Sequence, residues 1–410
     1  MRRPTVLFIN RVYPPQRGAS GRVLRDLARS FAREGWQVNV ITTGPSSKIE
    51  RDGAVKITRI KAPAKPRNTL SYMLVWLKVV FVALRLPSTH LVVTMTDPPM
   101  LVVAGQVIRF FKRNRHIHWC QDLYPDVIPS LGIKMPIIFR WFFHGLSRRS
   151  LRAADKVIVI GRCMARLLSV DGFDPKQITV IPNWPDLELL RKDRTGKSAH
   201  YSEHASSVSD GRSYEEQKKQ GPKFRVLYAG NIGRVHPIDT ILKAAVLLDK
   251  KDKDIEFVFV GDGANYDAIA KFRSEMHLDN IRLLPFQPAS RLKELMESGD
   301  VHLVSMKEEA AGMIVPSKLY SAIAAERPCI FVGPAHCEVA KVLNDFKAGA
   351  VISQGDAEGL AETIRQMRYN SDIWFGAHQG AVEAAGVFLP KESINAWMER
   401  AWAVVKPDLG

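Results

Sequence analysis

Short apolar runs alternate with amphipathic segments along most of the chain. The run Thr5–Ile9 precedes an amphipathic stretch from Arg22 to Glu34, whose apolar residues recur with helical spacing. The same alternation predicts strands near residues 36–42, 54–60, 91–95, 116–120, 157–160 and 178–181, with helices near 70–86, 99–112 and 137–153. Strands and helices in this order predict an α/β fold built on a doubly wound parallel sheet.

The pattern stops near Leu190 and starts again at Phe224. Residues 191–222 are rich in Ser, Lys, Glu, Asp and Gly and nearly lack apolar residues, which predicts an extended, partly disordered linker or insertion. A second α/β series then predicts strands at 224–229, 255–260, 281–284, 301–305, 329–332 and 350–352. We therefore predict two Rossmann-like domains, 1–190 and 223–385, facing across a crevice, and a helix at 386–410 that crosses back to the first domain.

Charge separates the two predicted domains more sharply than any other property. The net charge is +17, and residues 1–180 hold 30 basic against 10 acidic residues, so the first domain carries the whole excess. Such a field attracts nucleic acid, an anionic membrane surface or an acidic substrate, and the count does not choose among them. The four scattered cysteines and the short apolar run at the N-terminus predict a cytoplasmic protein with reduced thiols.

Two apolar segments of the first domain bear on membrane contact. Leu70 to Leu86 is about as long as a membrane span, but Lys78 and Arg85 interrupt it, which favours a buried helix. In the segment 137–152, the consecutive aromatic residues Trp141 to Phe143 occur together with four arginines. This mixture favours an interfacial helix whose aromatics enter lipid and whose arginines meet phosphates; the alternative is core aromatics and solvated arginines.

The stretch FRVLYAGNIGRVHPID, residues 224–239, carries the first sign of chemistry. It predicts a strand, a turn at Gly230, Asn231 and Gly233, and a helix with Pro237 in its first turn. Backbone N–H groups at such a turn favour an anion, and Arg234 adds a forked cation suited to phosphate. A surface loop with one solvated arginine is the alternative.

Two further loops have the same logic. Small residues from Gly18 to Gly21, including Ser20, precede the first helix, and Ser317 and Lys318 follow Pro316 near a predicted helix start. Together with Arg234, these loops predict a diphosphate site without a metal. The turn at Asp262, between Gly261 and Gly263, suits a base or ribose, or an ordinary connection.

Acid or base candidates cluster after the predicted strand 116–120. His116, His118, Asp122 and Asp126 lie there, and Asp122 is the best placed because it comes just beyond the strand. Asp97, before Pro98, is a second candidate. Each carboxylate could instead cap a helix or form a turn.

With these pieces in place, the chain resembles the GT-B glycosyltransferases of family 4, over nearly its whole length. The segments that carry the resemblance are YPPQRGASGRVLRDLARSFAREGWQVNVIT, ADKVIVIGRCMARLL, ITVIPNW, AGNIGR, VGDG and PSKLYSAIAAERP. The Pro-Ser-Lys motif is similar to that of a subgroup acting in bacterial capsule, O-antigen or exopolysaccharide assembly.

The resemblance implies roles for individual positions. Arg234, Lys318 and the backbone of Gly18 to Gly21 would hold the phosphates of a nucleotide sugar, and Asp262 would border the base. Two family glutamates, the second of which binds the ribose, match Met313 and Ser321 here, so this chain departs from the pattern. Asp122 would position the acceptor or assist proton transfer, and no cofactor or metal is implied.

The hypothesis is a retaining glycosyltransferase of hexosyl or N-acetylhexosaminyl type, peripheral on the inner face of the cytoplasmic membrane. It would move sugar from a nucleoside-diphosphate sugar to a polyprenyl-diphosphate-linked acceptor. A GT-B nucleotide-sugar epimerase would use the same phosphate residues but need no membrane face. A basic protein binding nucleic acid without specificity would explain the charge, but no nucleic-acid module is recognisable.

Overall fold

A computed structural model describes residues 3–63, 66, 68–190 and 223–408. The predicted insertion at 191–222 lies outside the described residues. The chain divides into two compact units. The first contains the chain up to Asn183, the short segment Gly312–Val315 and the part from Pro390 onward; the second contains Trp184–Ala311 and Pro316–Leu389.

The first unit is built on an eight-stranded sheet with the order β3-β4-β2-β1-β5-β6-β7-β8. Its strands are β1 Thr5–Ile9, β2 Gln37–Gly44, β3 Lys48–Asp52, β4 Val55–Lys61, β5 Leu91–Thr94, β6 Arg115–Cys120, β7 Lys156–Val159 and β8 Ile178–Val180. All neighbours pair in parallel except β3 and β4, which form an antiparallel hairpin at the edge. The sequence predicted β4 but not its antiparallel neighbour β3; a tight turn at Gly53 (φ 63°) lets the chain fold directly back at this edge.

In the described part of the chain, five helices connect strands of the first sheet. They are α1 Ala19–Arg33, α2 Thr69–Arg85, α3 Leu101–Lys112, α4 Ile137–Arg152 and α5 Arg162–Val170. The C-terminal helix of this unit, Pro390–Val405, buries Trp397 against Trp119 of β6, with ring centroids 4.8 Å apart. Aromatic packing of this kind attaches the end of the chain to the first sheet.

The second unit has a six-stranded parallel sheet with the order β11-β10-β9-β12-β13-β14. Its strands are β9 Phe224–Asn231, β10 Ile255–Asp262, β11 Ile281–Leu284, β12 Val301–Ser305, β13 Cys329–Val332 and β14 Gly349–Ile352. Its helices are α6 Asp239–Asp249, α7 Tyr266–Glu275, α8 Leu292–Glu297, α9 Lys318–Ala324, α10 Glu338–Phe346, α11 Ala357–Tyr369 and α12 Ser371–Val387; Pro390–Val405 of the first unit is α13. Two parallel α/β sheets in sequence confirm the predicted fold class.

The sequence predicted a buried helix at α2, but in the structure only one side of α2 is buried. Val75, Val79 and Val80 pack into the core of the first unit, but a second apolar stripe faces solvent. That stripe consists of Leu70, Met73, Leu74, Leu77 and Phe81, each about half exposed. A helix apolar all round has more apolar surface than one sheet can cover. Among the described residues, no helix has the length and hydropathy needed to cross a membrane.

The leading aromatic residues of helix α4 are exposed, which contradicts the alternative that they belong to the core. Trp141 is 80% exposed and Phe142 62% exposed. Arg148, in contrast, is buried, and its guanidinium pairs with Asp126 at 3.1 Å and Asp171 at 2.7 Å. Arg148 is therefore a structural residue and cannot meet lipid phosphates, while Arg140 and Arg149 are exposed.

Candidate functional site

The carboxyl ends of β9 and β10 lie unusually close together in the second unit. Gly230 has φ 116° and Gly261 has φ 148°, and a Cβ on Gly261 would lie 2.1 Å from the carbonyl oxygen of Gly230. Only glycine fits this approach. The loop from Ile232 to Ile238 then precedes α6. The sequence predicted Pro237 in the first turn of this helix, but Pro237 lies before Ile238, the N-cap.

Lys318, the first residue of α9, is held against this glycine loop. Its Nζ donates a hydrogen bond to the carbonyl oxygen of Asn231 at 2.8 Å and lies 5.1 Å from the centroid of the Tyr228 ring. Burial lowers the pKa of Lys318 to about 7. The ammonium is therefore aimed at the end of β9 in an environment that would gain from a neighbouring anion.

His236 determines the polarity beside Lys318. The Nδ1 of His236 donates to the carbonyl oxygen of Ser305 at 2.6 Å, which leaves Nε2 as an acceptor 3.5 Å from Nζ of Lys318. Burial, with Lys318 as a smaller cause, lowers the pKa of His236 to about 3. His236 is thus neutral near pH 7 and adds no competing cation.

Other predicted donor residues of the second unit take varied positions. Arg234 is exposed and makes no hydrogen bond or ion pair with any described residue. Asp262 ends β10 and accepts from the backbone N–H of Gly263 at 2.7 Å, the turn that its sequence allowed. Ser317 is the N-cap of α9 without a side-chain bond, and Ser321 lies one turn further along.

The carboxyl end of β6 carries Asp122 in the first unit. Asp122 pairs as an isolated β-bridge with Ile314, and the N–H of Leu123 donates to the carbonyl oxygen of Met313 at 2.8 Å. The Thr96 hydroxyl donates to Asp122 at 3.4 Å. Burial raises the pKa of Asp122 to about 6, and the negative charge of Asp97 adds to this. A carboxylate in this range can accept a proton near neutral pH.

The other acid or base candidates of this unit have structural partners. Asp97 pairs with Arg11 at 2.6 Å, and Asp126 pairs with Arg148. His116 and His118 are buried, and both share the hydroxyl of Thr94, at 2.8 and 2.9 Å.

Burial lowers the pKa of both histidines, to about 3 for His118, so they are neutral core residues. Among the described residues, no cluster of His, Cys, Asp and Glu could hold a metal ion.

The small residues of the first loop serve close packing. The sequence predicted Ser20 and Gly21 in the loop before the first helix. Helix α1 begins at Ala19, so both residues lie within its first turn. A Cβ on Gly21 would lie 2.9 Å from the carbonyl oxygen of Val12, and one on Gly18 would lie 3.0 Å from the Val12 side chain. The helix start is therefore pressed against the preceding loop.

The sequence did not reveal the residues that hold this loop. Arg59 of β4 is buried and donates to the carbonyl oxygens of Tyr13 and Pro14, while its Nε pairs with Glu50. Asp52 accepts from the hydroxyl of Tyr13 at 2.9 Å and from Nε of Arg25 at 2.8 Å. The edge hairpin thus fixes the loop that follows β1. Because Lys56, Thr58 and Lys61 are also polar residues of β4, the sequence did not distinguish Arg59 as the residue that holds the loop.

Comparisons with known proteins agree with this architecture. Residues 18–184 match the family "Glycosyl transferase 4-like domain", and residues 211–372 match "Glycosyl transferases group 1". The chain is 26% identical over 275 residues, 66% of its length, to the probable glycosyltransferase WbjE of Pseudomonas aeruginosa. It is 27% identical over 220 residues, 53% of its length, to the putative colanic acid biosynthesis glycosyl transferase WcaI of Escherichia coli K12.

Those matches cover 64% of WbjE and 51% of WcaI. A solved structure, Anabaena HepE in complex with UDP-glucose, superimposes with a TM-score of 0.70 at 14% identity, over 97% of this chain and 99% of that one. At this identity the likeness shows the fold. Two successive family matches and a shared two-sheet architecture place the chain among the GT-B glycosyltransferases, with a glycosyl transferase 4-like unit followed by a group 1 unit.

Proposed function

We propose that the protein transfers a sugar, with retention, from a nucleoside-diphosphate sugar to a hydroxyl of a lipid-linked acceptor in polysaccharide assembly. The observation that carries this proposal is the Lys318 ammonium held against the glycine loop at the end of β9. The relative WcaI is named for colanic acid biosynthesis, and HepE binds UDP-glucose, which supports a nucleotide sugar and a polysaccharide product. Both family matches are to glycosyltransferases, which favours transfer over epimerisation.

In this mechanism the second unit holds the donor. Cleavage of the sugar–phosphate bond builds negative charge on the departing diphosphate, and fixed cations that face this charge lower the barrier. Lys318 and the exposed Arg234 supply these cations, and the backbone from Gly230 to Gly233 allows a phosphate to approach closely. Ser317 and Ser321 of α9, with Asp262 of β10, are the remaining donor-side residues that we propose.

The first unit, by the same proposal, holds the acceptor. Asp122 combines a position at the carboxyl end of β6 with a pKa near 6, so it can orient an acceptor hydroxyl or receive its proton. Gly18, Ser20 and Gly21, at the start of α1, are proposed to border the donor phosphates.

Isothermal titration against a panel of nucleoside diphosphates and their sugars tests the donor proposal. We expect micromolar binding of one nucleotide, with UDP as the first to try. The Lys243→Ala variant, which removes an exposed lysine of the same unit, should bind equally well, whereas Arg234→Ala should bind at least tenfold more weakly. A folded protein that binds no nucleotide in the panel would contradict the proposal.

We also propose that the protein lies on an anionic membrane surface through the first unit. Helices α2 and α4 both pack against α3. We use the term apolar helix face for the exposed stripe of α2, residues 70–81, together with the exposed start of α4, residues 137–142. Exposed Lys78, Arg140 and Arg149 lie on the same two helices. Exposed apolar side chains that insert between lipids and basic side chains that attract anionic headgroups together favour binding to such a surface.

The double variant Trp141→Ser/Phe142→Ser is expected to weaken binding to phosphatidylglycerol-containing vesicles by about tenfold or more, because two large exposed rings lose their apolar contact. Vesicle flotation measures this. The matched control, Phe375→Ser/Val382→Ser, removes two exposed apolar residues of α12 in the second unit and should leave flotation unchanged. Equal losses in both variants would contradict the assignment of the apolar helix face.

A further inference from the structure

A cavity of about 790 Å³ opens in the first unit at the amino ends of the central strands. It lies where α3 ends at Lys112 and where β5 and β6 begin, at Leu91 and Arg115. Its lining residues are Ser88, Thr89, His90, Gln106, Arg109, Phe110, Arg113, Asn114 and Arg115. Asp122 lies beyond the opposite end of β6, a strand of six residues or roughly 20 Å, so the cavity is separate from the proposed acceptor site.

The cavity wall is strongly basic. Three arginines line it, at positions 109, 113 and 115, and none of the described lining residues is acidic. Asp155, outside the lining, pairs with Arg109 at 3.1 Å and with Arg115 at 3.3 Å, so one carboxylate is shared by two guanidinium groups. Among the described residues the exposed Arg113 has no acidic partner, and the wall keeps a net positive charge that favours an anion.

Neutral hydrogen-bond donors accompany this charge. The Nδ1 of His90 accepts from the backbone N–H of Thr5 at 3.1 Å, which leaves the His90 proton on Nε2 as a donor. Asn114 is 5% exposed, and neither atom of its carboxamide has a hydrogen-bond partner among the described residues. Buried amides are nearly always hydrogen-bonded, so an unpartnered one beside a basic cavity indicates a polar ligand.

The rim of the cavity is aromatic. Phe110 is 80% exposed and Phe111 is 66% exposed, and their rings meet edge to face with centroids 5.2 Å apart. Exposed aromatic residues beside a cluster of arginines suit a ligand that has an anionic end and an apolar or ring-shaped part.

We propose that this cavity binds a phosphate group, carried either by an anionic phospholipid or by a soluble phosphate ester. Arg109, Arg113 and Arg115 supply charge and forked donors, His90 and Asn114 supply neutral donors, and Phe110 contacts the rest of the molecule. The assignment rests on the first unit alone and is independent of the proposed transfer reaction.

Two variants and two ligands test the site. Arg113 ends α3 in the left-handed conformation, φ 56°, which asparagine tolerates, so Arg113→Asn should fold normally. Asn114→Leu removes the unpartnered carboxamide and should not lower Tm. Lys347→Asn is the matched control, because Lys347 is also an exposed basic residue that ends a helix, α10, at φ 52°.

Binding is measured to glycerol 3-phosphate by titration, and to vesicles of phosphatidylcholine with and without phosphatidylglycerol by flotation. We expect Arg113→Asn and Asn114→Leu each to weaken binding at least fivefold, whereas Lys347→Asn does not. A loss with phosphatidylglycerol vesicles alone identifies a lipid headgroup, and a loss with glycerol 3-phosphate alone identifies a soluble ester. Unchanged binding of both ligands in both variants, or no binding by the wild-type protein, would overturn the proposal.

Discussion

Replacing Lys318 with glutamine is expected to lower kcat/KM for sugar transfer by about 100- to 1,000-fold, the usual cost of removing one fixed group that stabilises transition-state charge. Glutamine keeps most of the side-chain length but removes the positive charge that faces the carbonyl oxygen of Asn231. Lys243→Gln, an exposed lysine of α6, is the matched control and should retain full activity. Steady-state kinetics with the nucleotide sugar identified by titration measures the effect.

The same side chain predicts how nucleotide binding responds to pH. The pKa of Lys318 is lowered to about 7 by burial, so the ammonium is present below pH 7 and increasingly lost above it. A bound diphosphate favours the charged form, so binding above pH 7 requires uptake of a proton. Affinity for UDP should therefore fall as pH rises through 7, by up to tenfold per pH unit, and this dependence should disappear in Lys318→Gln.

If the UDP affinity of the wild-type protein did not change with pH, and Lys318→Gln bound UDP equally well, Lys318 would not contact the diphosphate. The folded state of each variant is checked by thermal unfolding. Because Lys318 contacts Asn231, His236 and the Tyr228 ring, the same measurement shows whether its replacement has disturbed the fold.

The sequence predicted the two sheets because strand and helix patterns are local. The runs Arg225–Ala229 and Ile255–Val260 are mostly apolar, each is followed by a glycine, and each forms most of an observed strand. The edge strand β3 was missed for the opposite reason, although its partner β4 was predicted. Lys48–Asp52 is mostly polar and charged, and it becomes a strand only through pairing with β4, where Glu50 contacts Arg59, and through the contacts of Asp52 with Tyr13 and Arg25.

The candidate site was predictable only in part, because its surroundings depend on contacts between distant residues. The position of Asp122 after a strand is readable from sequence, but its pairing with Ile314 joins residues nearly 200 positions apart. No local pattern predicts that pairing or the resulting burial. Arg148 illustrates the converse: its charge suggested lipid contact, yet two carboxylates, Asp126 and Asp171, hold it inside the fold.

Helix α2 shows why composition could not separate a buried helix from one with an exposed face. Val75 and Val79 occupy one side, and Leu74 and Leu77 occupy another, so apolar residues alone do not mark the side that meets the sheet. Which side of α2 is buried depends on the core residues that it contacts, such as Leu7 of β1, and these are distant from α2 in the sequence.

Replacing Asp122 with asparagine is expected to lower kcat by about 1,000-fold while leaving UDP affinity unchanged, because the carboxylate lies in the first unit and the proposed diphosphate-binding cations, Lys318 and Arg234, lie in the second. Asparagine has nearly the same shape and can still meet the Thr96 hydroxyl, so the β-bridge with Ile314 should persist. Steady-state kinetics and UDP titration on one preparation separate the two effects.

The pH profile distinguishes a proton-accepting carboxylate from a merely structural one. The pKa of Asp122 is raised to about 6 by burial and by Asp97, so the active, deprotonated form increases as pH rises through 6, and kcat/KM should rise with it. Asp97→Asn removes one negative neighbour and should move this rise to lower pH. If Asp122→Asn instead retained the rise near pH 6, or lost UDP binding along with activity, the carboxylate would act through the fold and not on the acceptor.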